Sequence, residues 1–158
     1  MTTILEHRIA DHLAHLRPAL LTQVTEHLAT NLPMIGIDQT LVGAYVTHYQ
    51  QMQATAERFH ELVLLAAELD WLLVVFEYTW TARVLQPMGV TWEHQALLIK
   101  TYFAVARHLA NWSAEELAVL DNLAERLWEE GARAYKVSGA RFQVSGRTDQ
   151  NALHGLNL

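Results

Sequence analysis

Leu62, Leu65, Leu69, Leu72, Phe76 and Trp80 recur three and four residues apart, the repeat of one α-helical face. Val63, Ala66, Leu73 and Val74 extend that stripe almost all round. A helix apolar on nearly every side belongs in a protein interior or a bilayer. This segment therefore limits the possible folds more than any other. Its most apolar window, residues 62–76, contains Glu68 and Asp70 and is too short to span a bilayer. The expectation is a central, most buried helix that reaches about Leu85.

The flanking sequence is also helical in pattern. Leu5, Ile9, Leu13 and Leu16 mark a first helix over residues 4–16. Pro18 suits the first turn of a second, through about Thr30, before a loop at Asn31, Pro33 and Gly36. Asp38 is placed to cap a third helix to about Arg58, with Leu41, Tyr45, His48 or Tyr49, Met52 and Thr55 on one face. Whether the chain breaks near Arg58 is left open by the pattern. Gly89 can take the left-handed conformation that ends a helix. Thr91 then caps a fifth, to about Ala110, with Leu98, Tyr102, Val105 and Leu109 inward. Ser113 and Glu116 have capping-box spacing, and the last helix should run to about Tyr135 with Leu117, Leu120, Ala124, Leu127 and Gly131 on one face.

No strand-like alternation occurs before residue 136, so the fold class is all-α, globin-like or a bundle of five to six helices. At 158 residues, 51% of them apolar, the chain is long enough for one cored domain. That domain is expected over residues 1–136. Residues 137–158 hold three of the seven glycines and a near-repeat, VSGAR at 137–141 and VSGRT at 144–148. This tail is either flexible or a docking segment anchored by Phe142, Val144 and Leu153.

Charge and composition narrow the functions. The formal net charge is −6 and lysine is confined to Lys100 and Lys136, so no basic stripe offers itself to nucleic acid. Without cysteine there is no disulfide scaffold, thiol nucleophile, thiolate metal site or thioether-linked chromophore. The N-terminus lacks the apolar core of a signal peptide, which points to a cytoplasmic chain with no membrane partner. Nucleophile-elbow, phosphate-loop, dinucleotide and zincin motifs are missing, so a non-enzymatic role is favoured.

Several constellations could still carry chemistry. Glu57 and His60 form an E-x-x-H, the unit by which di-iron bundles hold metal. Asp70 and Glu77 could add carboxylates, but a second E-x-x-H is lacking. On the alternative reading, Glu57 is solvated and His60 is a core or interhelix hydrogen-bonding residue. His7, Asp11 and His15 share a face, with His12 alongside, as an adventitious zinc or nickel site or a solvated surface. His48, His60, His94 and His108 are each conceivable axial haem ligands. Asp70 and Glu77 sit on the most apolar stretch, so each is either on a surface strip or in a polar spot of a pocket, with Arg58 or Arg107 as candidate partners. Phe76 and Trp80 read as core. Tyr78 points elsewhere, its hydroxyl at a surface or interface, and Arg83 is placed to stack on Trp80.

His60, Leu64, Ala67 and Leu69, followed by Phe76, Tyr78, Trp80, Val84, Leu85, Gly89 and Val90, with Leu97, Leu98 and Leu109 beyond, form a pattern of core positions. It resembles the bacterial helical sensor-type domains that precede cobalamin-binding or sulfate-transporter/anti-sigma-antagonist domains. It is also similar to the globin-like, haem-free input domains of stressosome proteins. The resemblance covers residues 57–112 and matches at His60 and Trp80. It implies an all-α input module, often a homodimer, that senses a signal and passes it on. The sequence departs from the pattern in having Pro87-Met88 where an arginine usually precedes the glycine, and a tail where an output domain would stand. Signalling would then pass through a partner protein.

The expected function is thus a regulatory or sensor domain acting by protein–protein contact, with or without a small hydrophobic ligand. The pocket for such a ligand would be lined by Trp71, Phe76, Trp80, Tyr102 and Phe103, with His60 beside it. The alternatives are a haem or cobalamin binder, and a metal-dependent redox bundle using Glu57, His60, Asp70 and Glu77.

Overall fold

The computed structural model describes residues 3–32, 47–68 and 71–154, the last fifteen of these as backbone only. The described residues form six α-helices and no strand: α1 (Ile4–His15), α2 (Arg17–Asn31), α3 (His48–Glu68), α4 (Trp71–Leu85), α5 (Trp92–Leu109) and α6 (Ala114–His154). A 3₁₀ turn, Gln86–Met88, follows α4. The all-α expectation holds. Among the described residues no helix is long and apolar enough to cross a membrane.

Local chemistry explains most of the ends. Thr3 and Glu6 cap α1 reciprocally, each side chain accepting from the other's backbone N–H at 2.7 and 3.2 Å. Pro18 lies in the first turn of α2, where its missing N–H costs nothing. Gly89 has φ +91°, and the following Val90 N–H donates back to the Leu85 carbonyl, closing the helix end. The Thr91 N–H donates to His94 Nδ1 at 2.9 Å, and Ser113 with Glu116 forms the capping box its spacing predicts. The proposed cap at Asp38, with Leu41 and Tyr45, lies outside the described residues.

The pairing of helices can be read from side chains. His48, at the start of α3, meets the Ala29 carbonyl near the end of α2 at 3.1 Å, and Arg17 at the other end of α2 acts on His60, so α2 and α3 are antiparallel. Arg107 pairs with Asp121, Lys100 lies over Trp128 and Trp92 packs on Tyr135, so α5 and α6 are antiparallel too. Trp71 meets Arg126, Tyr78 approaches Gly131 and the Ala82 carbonyl accepts from Ser138, so α4 runs parallel to α6. One core joins all six helices, with Leu13, Leu20, Leu28, Met52, Val63, Val74, Tyr102, Leu120 and Leu127 deepest.

Three expectations need correction. First, the apolar stretch from Leu62 to Leu85 is not one helix, and of the two options left open at Arg58 the chain takes the unbroken one. The helix continues to Glu68, and a new one starts at Trp71. The stripe from Leu62 to Trp80 is therefore shared between two helices and loses its common phase. Second, α4 is not the most buried helix. Only Val74, Tyr78 and Ala82 are buried, while Leu72, Leu73, Val75, Phe76, Trp80 and Val84 are exposed. Tyr78, assigned to a surface or interface, is 2% exposed, and burial lifts its phenol well above the ordinary range. Third, the last helix does not stop at Tyr135. Its backbone continues to His154, across residue 136 and through both glycine-containing repeats. A helical glycine costs about 1 kcal/mol relative to alanine, too little to end a helix by itself. The side chains of Phe142, Val144 and Leu153 lie outside the described residues.

The choice of α4 face follows from Gly131. A Cβ there would lie 2.8 Å from the Trp92 ring and 3.1 Å from Tyr78, so its absence admits both rings against the α6 backbone. Trp92 also meets Trp128 edge-on at 5.1 Å. Gly131→Ala should cost about 1–2 kcal/mol net in urea denaturation, the steric cost of overpacking exceeding the gain in helix propensity. A more stable variant would show that this seam is loosely packed.

Candidate functional site

The residues singled out for chemistry occupy three separate places. The first is interior. His60 on α3 is fully buried, and its Nδ1 lies 2.6 Å from the Tyr102 hydroxyl on α5. Tyr102 in turn meets Phe59 and Phe103 edge-on at 5.1 and 5.3 Å. Burial lowers the His60 pKa to about 4, with the charge of Arg17 acting in the same direction. At neutral pH the ring is uncharged. His60 is thus an interhelix hydrogen-bonding residue of the core. The other histidines considered as axial ligands have different surroundings. His48 and His94 contact backbone groups at helix ends, and His108 is exposed.

The second place is the edge between α4 and α6, where the Arg126 guanidinium lies 3.9 Å from the Trp71 ring. The third is the outward side of α4. There Phe76 is 73% and Trp80 48% exposed. Leu73, Phe76, Glu77 and Trp80 of α4 face Arg58, Glu61, Leu62 and Leu65 of α3 across an open groove of about 730 Å³. Arg58 ties its two walls together. Its Nε donates to Glu77 at 2.9 Å, and its guanidinium lies 5.1 Å from the Trp80 ring. The cation on Trp80 is therefore Arg58 and not Arg83.

The expected pocket of Trp71, Phe76, Trp80, Tyr102 and Phe103 with His60 is not one site. Tyr102, Phe103 and His60 are inside, Phe76 and Trp80 line the groove, and Trp71 packs at the α6 edge. The metal set is corrected as well. Among the described residues no three His, Asp or Glu side chains come together, so Glu57, His60 and Glu77 do not form a site. Glu77 is held by Arg58, and Asp70 lies outside the described residues. His7 and Asp11 are exposed and 3.8 Å apart, and His12 packs on Trp112.

What sequence reasoning missed is the outward groove, with Arg58, Glu61, Leu62, Leu65 and Leu73. The only available signal was an excess of large apolar residues on one helix, more than a single buried face can use. No family model, curated protein or solved structure matches this chain.

The buried imidazole has a measurable consequence. Its folded pKa lies below the unfolded value of about 6.5, so the unfolded chain binds the proton more readily. This contribution is complete above pH 6.5 and is lost as pH falls towards 4. The loss is at most about 3 kcal/mol. Urea midpoints measured at pH 7.5 and 4.5 should differ more for the wild type than for His60→Asn. Equal differences would mean that His60 is not held neutral.

Proposed function

We propose that this chain is a non-enzymatic regulatory module of the sensor or input type, and that it acts by docking a protein partner on the outward side of α4. The observation that carries the reading is the exposure of Leu72, Leu73, Val75, Phe76, Trp80 and Val84 on one helix. Single exposed apolar residues are ordinary, but a contiguous patch of several hundred Å² marks interaction surfaces. Trp80 with Arg58 over its ring is the kind of anchor that dominates binding energy at such surfaces. The same outward side contains the groove, whose size falls within the range of small-molecule sites, so an apolar ligand there would sit where the partner docks. A ligand could then regulate docking directly, by filling the groove or displacing Trp80.

The reading separates docking residues from folding residues. Phe76→Asp in dilute, sub-micromolar solution should change stability by no more than about 0.5 kcal/mol, as for ordinary surface substitutions. Leu127→Ala, in the core, should cost about 2–5 kcal/mol. In the source cell, Phe76→Asp should abolish recovery of the partner that co-purifies with the wild type. A loss of 2 kcal/mol or more for Phe76→Asp in dilute solution would make the α4 surface part of the fold and end this reading.

A further inference from the structure

We infer that the occupant of the α4 surface is a second copy of this chain, paired α4 against α4 in antiparallel orientation about a two-fold axis near Tyr78. The inference rests on the docking reading and names its partner.

Four observations point to self-pairing. The first is the order of residues along the helix. Phe76 and Trp80 lie two positions either side of Tyr78, and Leu72 and Val84 lie six either side. All four are exposed, while Tyr78 faces inward. Antiparallel pairing about that point sets Phe76 opposite the mate's Trp80, and Leu72 opposite the mate's Val84. Of the other two exposed apolar residues, Leu73 falls opposite the mate's Arg83 and Val75 opposite its Thr81.

The second is shape. The same surface carries a ridge, with Phe76 as its most exposed aromatic, and beside it the groove against α3. An isologous interface brings one patch against itself, so it needs projection and recess on the same side of the molecule. The third is charge. The chain as a whole carries −6, but Arg58, Glu61, Glu77 and Arg83 on this surface comprise two of each sign. Arg58 and Glu77 neutralise each other within one copy, so two such surfaces meet without net repulsion and the remaining Glu61 and Arg83 can be matched across the two-fold.

The fourth is area. The six exposed apolar side chains of α4 offer roughly 600 Å², taking about 150–250 Å² for a large side chain and scaling by its exposure. With the charged rim this approaches the roughly 800 Å² per partner of a standard stable interface.

The full-length chain is tested by sedimentation equilibrium from 1 to 200 μM. The wild type should approach twice the 18.0 kDa chain mass. Phe76→Asp with Trp80→Asp should weaken association at least 100-fold while helicity by circular dichroism is retained. Because the sequence has no cysteine, single thiols report orientation without background. Phe76→Cys mixed with Trp80→Cys should cross-link to each other faster than either chain does to itself. This assay also decides the matter if the double aspartate variant fails to fold. A wild type that stays monomeric at 200 μM overturns self-pairing, as does a dimer indifferent to the aspartates or one whose thiols prefer their own kind. In each of those cases the docking reading survives for a different partner, because its own test is the stability of dilute Phe76→Asp.

Discussion

The arrangement depends on one close contact, that of the Tyr78 and Trp92 rings with the backbone of α6 at Gly131. Because no side chain intervenes, α4 and α5 both lie close on the same turn of α6, and the aromatic cluster with Trp128 and Tyr135 closes over it. That contact determines the rotation of α4. With Val74, Tyr78 and Ala82 turned inward, the remaining large apolar residues of the helix have to face outward. Core packing and the exposed surface are two consequences of the same steric fact.

The His60–Tyr102 pair plays a different part. It joins α3 to α5 through one polar contact, with Phe59 and Phe103 packed edge-on against the Tyr102 ring. A buried hydrogen bond adds little net stability, but leaving either partner unsatisfied is costly. The pair therefore disfavours slippage of α3 against α5 more than it strengthens the bundle. Its neutral imidazole keeps charge out of the core, consistent with the lowered pKa.

Much of the fold was legible in the residues. Helix ends follow from local chemistry, and Gly89, Thr91, Pro18 and the Ser113–Glu116 pair all sit where short-range rules place them. The inward side of α6 was legible too, since Leu120, Leu127 and Gly131 follow a clear helical period with polar residues opposite. α4 was not. Periodicity reports orientation only when one side is polar, and this helix is apolar nearly all round. The start of a new helix at Trp71 also resets the phase, so continuing the Leu62–Leu65 stripe into Phe76 and Trp80 selected the wrong side. Tyr78 was misplaced for the same reason, since its burial depends on a glycine more than fifty residues away. Of the candidate site, the link between Glu77 and Arg58 was foreseen as one of two options, whereas the groove required the actual angle between α3 and α4.

The length of α6 has a mechanical consequence. Its 41 residues make a rod about 60 Å long, which packs against the other helices at least as far as Ser138. A continuous helix is stiff along its axis, so movement at one end is carried to the other instead of being absorbed between. Tilting α6 by about 5° about Gly131 would displace His154, roughly 35 Å along the helix, by about 3 Å. The same seam at Gly131 that orients α4 is thus also the fulcrum of a lever, and a small rearrangement of α4 would be amplified at His154.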